Sequence, residues 1–492
     1  AGLGGLTAGA LLAKQGRKVL VLEQAEMVGG CCATFERDGF RFDIGASIVE
    51  ALANMELVFT ELGSSLETEL DLLPCDPIYS CIFRDGKRLS IPRDVQAAAD
   101  AIGQLSAPDR ENFIRFNQCF EQFAKSGGDE FFRVPMNTMG DFAGLFQRNP
   151  GMLRFLPFFF GTYDDALKKF FVDERVRQTM AYQSFYAGHP PDLAPGIFAI
   201  IPAFLEHLGM YYPRGGMGKI PTAIAMLGQQ YGLEVRLKTP VARVLVDGSR
   251  AVQGVRLEDG AIITSKVVVS NVNARTLYLE LIGKENLPWN VRKGIESLEP
   301  SLTAPMVYLG LDAAPPLDAH HTLIPLPVEQ MNDAWWNEYR AGRIPKEQFG
   351  LLCWPTQTDP SLAPAGCHVL NLILMGPYDL KATNWDAEKP RFIEQTLDLL
   401  DRFIFPGVKK HVKVADMSTP LDYERRLRLP GGAIYGLQQD ITAQAVFRPS
   451  SRSKSFSGLY LTGASTHPGG GVPTSMCSGY IAANLIAKSE IS

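Results

Sequence analysis

Gly2, Gly5, Glu23 and the pair Gly29-Gly30 are the residues whose types and spacing first suggest chemistry. The chain opens Ala1-Gly2-Leu3-Gly4-Gly5, so Gly2 and Gly5 stand as the second and third glycines of a G-x-G-x-x-G turn. At those positions Gly2 would let the backbone approach a pyrophosphate, and Gly5 would let a helix pack closely on a strand. The free N–H groups and positive dipole end of that helix then serve the phosphates. Glu23 lies twenty-one residues beyond Gly2, where an acid that holds a ribose is expected. Gly29 and Gly30 bring the backbone back to the phosphates, which favours FAD over NAD. The first glycine and first strand of such a unit are not in the sequence, which predicts roughly ten further residues ahead of Ala1.

A second glycine-rich stretch, Gly463 to Pro473, contains one titratable side chain, His467. One reading makes His467 a proton acceptor, or a donor to the flavin carbonyls. The other makes it a turn histidine bonded to backbone. Cys31 and Cys32 are adjacent, and a disulfide between neighbours is strained, so packing or phosphate contact is expected instead. Arg214, beside Gly215-Gly216, suits either a substrate mouth or a helix cap. The eight cysteines contain no Cys-x-x-Cys pair and only seven histidines accompany them, so no metal site is expected and buried thiols are.

Elements must hold these residues in place. Apolar positions 6, 10, 11 and 13 mark a helix face, Gly16 its stop, and Arg17–Glu23 a buried parallel strand. Tyr211 to Gly218 leads into a helix ending near Gln230. Strands follow over Leu233–Val246 and Ala251–Leu257, joined at Asp247-Gly248, and then at Val267–Val269. Leu459–Leu461 reads as a strand and Met476–Ile486 as a helix of small residues. The expected fold is α/β. Residues 1–95, 206–274 and 431–492 form a discontinuous Rossmann-like FAD-binding domain, 96–205 a helical insert against substrate or membrane, and 275–430 an α+β substrate domain.

Composition narrows the rest. With 492 residues, 46% of them hydrophobic and 21% charged, the chain can bury a large core and is not disordered. A net charge of −5 without single-sign blocks argues against nucleic acid as a partner. No signal-peptide pattern and no apolar run of membrane-spanning length is visible, which predicts a cytoplasmic setting. Phe155–Phe160, Phe170-Phe171 and Ile197–Leu205 are apolar enough for core or for a ligand channel. Their neighbours Arg154, Lys168 and Lys169 also suit a helix lying in a membrane interface, so peripheral membrane contact is expected.

The stretch Gly29-Gly30-Cys31-Cys32-Ala33-Thr34-Phe35, with Gly39-Phe40-Arg41-Phe42-Asp43-Ile44-Gly45 after it, resembles the head of the carotenoid desaturase, isomerase and retinol saturase superfamily. Thr419 to Glu424, Leu429 to Gly432, Tyr435-Gly436, Phe447-Arg448-Pro449 and the Gly463–Pro473 loop are similar to bacterial-type phytoene desaturases. The resemblance implies FAD held by Gly2, Gly4, Gly5, Glu23, Gln24, Gly29, Gly30, Cys31, Thr34, Asp43, Gly45, Val241, Gly463, Ala464, Gly471, Val472 and Pro473. It further implies desaturation of an acyclic isoprenoid such as phytoene, with hydride passing from an allylic carbon to the flavin. Ala464 and His467 lean to the desaturase branch, whereas Gly45-Ala46-Ser47 is closer to isomerases and saturases. A polyene isomerase or a saturase therefore stays open, as does a non-catalytic prenyl-binding escort of the GDP-dissociation-inhibitor type. No acid–base dyad stands out, and charge spread along a polyene does not require one. Oligomeric state is not legible.

Overall fold

Gly2 begins a helix and not an extended loop: residues Leu3–Lys14 are α-helical, with Gly2 as an N-cap that offers no side chain to the first turn. The computed structural model describes residues 1–202, 209–440 and 442–489. Ala203-Phe204-Leu205, which close the third apolar run, and the expected boundary at 205/206 lie outside the described residues. The strand after the opening helix is shorter than expected, Leu20–Leu22, and pairs in parallel with Glu234–Arg236. Gly2 and Gly29 form a parallel bridge beside it.

Close helix packing explains the small residues. A Cβ on Gly479, in helix Val472–Ser489, would overlap the Gly4 carbonyl and lie 2.8 Å from Thr7 Cβ. A Cβ on Gly228, in helix Lys219–Gln230, would lie 2.9 Å from Ala10 Cβ. The opening helix is therefore clamped by two helices at separations that only glycine permits. The last helix starts at Val472, four residues earlier than the small-residue pattern suggests, because Pro473 is tolerated in a first helical turn. Val268–Ser270 pairs in parallel with Leu459–Leu461, so the two ends and the middle of the chain meet in one layer.

The other layer is a seven-stranded sheet whose order is 412–418, 306–311, 368–374, 350–353, 321–324, 79–82 and 88–91. Side chains alternate across it. Val307, Leu309, Leu370 and Leu372 meet Trp385, Phe392 and Leu400 of helix Trp385–Phe403. Met306, Tyr308, Leu351 and Ile373 face the main core instead. Strands Tyr79–Ile82 and Arg88–Ile91 join this sheet through parallel pairing with His321–Ile324, although the sequence grouped them with residues 1–95. The Asp85-Gly86 turn marks a hairpin locally; the sheet it joins is decided by a partner more than 200 residues away. Helices from Val95 to Ala199 bury Phe113, Phe116, Phe120, Phe123 and Phe155, with ring contacts between Phe116 and Phe120 and between Phe123 and Phe155. No helix among the described residues is long and apolar enough to cross a membrane.

Candidate functional site

Two glycine segments, 2–5 and 463, converge on one asparagine, Asn271. A Cβ on Gly4 would lie 2.8 Å from Asn271 Oδ1 and 2.7 Å from the Gly463 nitrogen, and a Cβ on Gly5 would lie 3.2 Å from Asn271 Cβ. Added Cβ atoms on Gly2 and Gly463 would overlap the same Asn271 amide. Gly30 has φ +59°, and its missing Cβ would stand 3.6 Å from Gly2 Cα. Side chains have thus been removed wherever the backbone lines a cleft between the opening helix, strand Leu20–Leu22 and the Gly463 turn.

That cleft is one end of a cavity of about 950 Å³. Its walls include Gly2, Gly4, Gly5, Glu23, Gln24, Gly29, Gly30, Cys31, Gly45, Val241, Gly463, Ala464, Gly471, Val472 and Pro473. Glu23 directly follows its strand and accepts the Ala25 N–H (2.9 Å). Gln24 donates to the Arg426 carbonyl. The other end is apolar: Ile48, Tyr182, Phe185, Tyr186, Leu351, Ile373, Met375 and Tyr435 continue the lining. A polar glycine cleft opening into an apolar chamber suits a large cofactor beside a hydrocarbon.

The cleft fits an anionic cofactor. The first turn of helix Leu3–Lys14 has no side-chain cap and no acid, and Gly2 through Gly5 all line the cavity. Its N–H groups and dipole end therefore face the cavity. Arg426 lines it too; the guanidinium stands over the Tyr423 ring, yet its buried Nε and Nη2 have no hydrogen-bond partner among the described residues. A half-buried cation whose inner N–H groups lack an acceptor suits a negative group. Cys31 is not that group, since burial pushes its thiol up to about 11 and keeps it neutral.

Three expected site residues stand elsewhere. Thr34 and Asp43 are absent from the cavity lining and form a buried node. Thr34 Oγ1 donates to Asp43 Oδ1 (2.6 Å), the Tyr212 hydroxyl to Oδ2 (2.5 Å), and the Met217 N–H to Oδ1 (2.9 Å). The Gly218 N–H donates in turn to Thr34 Oγ1 (2.9 Å). Burial raises the Asp43 pKa to about 6 against these donors. The node ties hairpin 34–43 to the start of helix Lys219–Gln230, which contributes to the cofactor layer. His467 is buried with Nε2 2.7 Å from the Phe131 carbonyl and its ring edge-on to Phe131, and it is not among the lining residues. Burial lowers its pKa to about 4, so it is neutral with the proton on Nε2. That is the backbone-bonded alternative, with the acceptor supplied by a distant helix.

Arg214 pairs with Asp71 at the surface, and the Gly215 N–H donates to Asp359 (2.7 Å). His320, His321 and Cys353 gather their ligand atoms within 4.8 Å, a cluster that linear spacing did not suggest. Every ring nitrogen there has a partner: His320 with Thr358 and the Ser47 carbonyl, His321 with Tyr186 and Ser47 Oγ. All eight cysteines are free. Sequence reasoning passed over Asn271, Arg426 and the cavity-facing Glu50. The polar Asn271-Val272-Asn273 break directly after a buried strand was the available signal for the first.

Comparison with known proteins agrees with this arrangement. The family model described as flavin containing amine oxidoreductase matches residues 3–487. The zeta-carotene-forming phytoene desaturase of Myxococcus xanthus is 30% identical over 487 residues, covering 97% of this chain and 91% of that protein. A lycopene-forming phytoene desaturase of Pseudescherichia vulneris is 29% identical, covering 99% and 98%. Among solved structures, an oxidoreductase from Methanosarcina mazei shares the fold at TM-score 0.63 and 18% identity, covering 99% of this chain and 98% of that one. The chain belongs to the flavin containing amine oxidoreductases, in the carotenoid desaturase superfamily, and is an FAD-dependent oxidoreductase.

Proposed function

We propose that this protein desaturates an acyclic isoprenoid of the phytoene class. The observation that carries this reading is a glycine cleft opening directly into an aromatic and aliphatic chamber, in a chain that aligns end to end with phytoene desaturases. A hydrocarbon offers nothing to grip but surface, at about 25 cal/mol per Å² buried. Tyr182, Phe185, Leu351 and Ile373 supply such surface. The cofactor's bound flavin supplies a two-electron acceptor. Gly2, Gly4, Gly5, Gly29, Gly30 and Gly463 give the cofactor backbone access, Glu23 and Gln24 take its ribose, Arg426 its phosphates, and Cys31, Gly45, Val241, Ala464 and Gly471–Pro473 close around it. Thr34 and Asp43 act on this site indirectly, by fixing the hairpin and the Met217-Gly218 turn. Residues 1–95, 206–274 and 431–492, less the strands at 79–91, make up the cofactor layer in this reading.

Expression of the full chain in phytoene-accumulating bacteria is expected to produce visible-absorbing pigment, whose band positions count the added double bonds. Unchanged phytoene beside flavin-loaded protein would overturn the reading. An isomerase would change band shape without adding double bonds, and an escort would not take up flavin.

A membrane-dissolved substrate needs an entry surface, and we place it on the helical insert. Met139, Leu153, Phe160 and Val172 each leave more than half of their surface exposed, and Arg154, Lys168 and Lys169 of the same insert are exposed cations. Exposed apolar tips together with cations suit an anionic interface. The double variant L153S/F160S is expected to lower sedimentation with phosphatidylglycerol vesicles by about tenfold, at 1.4 kcal/mol per decade. Equal sedimentation of variant and parent would remove this surface from consideration.

A further inference from the structure

Among the described residues three acids line the cavity, and two of them, Glu23 and Glu234, belong to the glycine end with the parallel strand pair Leu20–Leu22 and Glu234–Arg236. The third is Glu50. It stands with the chamber residues, close enough to Tyr186 and Tyr435 for its charge to act on both hydroxyls. Among the described residues no cation or hydrogen-bond donor meets its carboxyl; burial is its sole perturbation.

The backbone holds Glu50 there from both sides. Val49 is fully buried and exchanges two hydrogen bonds with Tyr211 (2.8 and 3.0 Å). Ala51 adopts φ +48°, ψ +48°, a left-handed conformation unusual for alanine, and caps helix Leu52–Glu61. Strain of this kind persists where surrounding structure enforces it. It fixes the direction in which residue 50 leaves the chain.

We propose that Glu50 is the base that takes the substrate proton in the desaturation, an inference that rests on the function proposed above. Two adjacent saturated carbons each lose one hydrogen. One departs with its bonding pair, so the substrate is oxidised by two electrons and the flavin is reduced by the same two. The other departs as a proton to a Glu50 oxygen, and the pair left in that C–H bond becomes the π bond. The carboxylate ends as a neutral acid, the form that a dry chamber favours.

Among the described residues no other group facing Glu50 competes near neutral pH. Burial raises Tyr182 and Tyr186 well above their ordinary range and Tyr435 above it as well, so all three stay protonated. His321 is driven well below its ordinary value by burial and holds both ring nitrogens in bonds to Tyr186 (2.8 Å) and Ser47 (2.9 Å). Cys31, nearer Tyr435, is a neutral thiol. Glu50 itself is raised to about 7 by burial, so it is half-ionised where a base is most effective.

The test is anaerobic flavin bleaching by phytoene presented in phosphatidylcholine vesicles, followed by stopped flow on holoprotein. The wild-type rate is expected to rise with pH and level off above about 7, because only the ionised carboxylate accepts the proton. E50Q is expected to slow bleaching about 10²–10⁴-fold and lose the pH profile, and E50D to restore part of both. Infrared titration of the apoprotein gives a readout independent of turnover: a carboxyl band titrating near 7 in wild type and missing in E50Q. Bleaching by E50Q at the wild-type rate and profile, or the absence of any carboxyl band titrating near 7 that E50Q removes, would overturn the assignment of the base alone. Wild-type holoprotein that phytoene never bleaches would overturn the desaturase reading and the base together.

Discussion

Gly30→Val is expected to yield a folded chain that purifies without its flavin, with visible absorbance per protein at least about tenfold lower, a loss of 1.4 kcal/mol or more in affinity. At φ +59° a β-branched residue is strained, and its Cβ would stand 3.6 Å from Gly2 Cα, inside the cleft. The remaining valine carbons would fill space on the cavity side. Arg426→Leu probes the same cleft by charge and not by volume. A buried bond to an ionised group is worth about 1.5–3 kcal/mol, so FAD should bind about 10–100-fold more weakly. The apoprotein should behave in the opposite sense: with Nε and Nη2 buried and unpartnered, removal of the guanidinium is expected to raise its thermal midpoint. Quenching titrations with FAD and melting curves of apoprotein measure the two signs. Full flavin retention by the Gly30 variant would remove this cleft from cofactor binding.

Asp43→Ala carries the largest expected loss of stability. Three donors, from Thr34, Tyr212 and Met217, would be left buried without an acceptor. At about 1–3 kcal/mol for each orphan, the sum is roughly 3–9 kcal/mol. For about 2.1 cal/mol/K per residue, a chain of 492 residues unfolding as one unit would lose roughly 3–9 °C. The effect on cofactor should be secondary, appearing as weaker flavin retention at elevated temperature and not at 4 °C. A variant melting with wild type but devoid of flavin at both temperatures would instead place Asp43 in direct contact with the cofactor.

The two residues show what linear spacing can and cannot deliver. Gly2, Gly5, Glu23, Gly29 and Gly30 were legible because a phosphate cradle is built from local turns, and all five line the cavity. Thr34 and Asp43 carry a family pattern equally well, yet their partners Tyr212, Met217 and Gly218 lie more than 160 residues away. Only the folded chain shows a node where a ligand contact was expected. Asn271 has the same history: no local feature announces that glycines from residues 2–5 and 463 will close around it. Glu50 is the sharpest case, since nothing in Ser47-Ile48-Val49-Glu50 marks it, and its chemistry follows from its place in the cavity wall, which is a tertiary property. The hairpin at 79–91 was visible as strands but not as the edge of the seven-stranded sheet.

The clamp of helix Leu3–Lys14 by helix Val472–Ser489 also sets a schedule for biosynthesis. The residues between Lys14 and Val472 number 457, and a ribosome adding about 5–20 residues per second needs roughly 25–90 s to cross them. Helix Lys219–Gln230 covers the Ala10 side of the opening helix earlier, but its Gly4–Thr7 side, which meets Gly479, has no permanent cover throughout that interval. The nascent chain must be shielded by chaperones or by provisional contacts, and a message truncated before the last helix yields a product with no finished dinucleotide cleft. The wall formed by Gly463, Ala464 and Gly471–Pro473 is made late, so the cleft cannot be complete before residue 473 has left the ribosome.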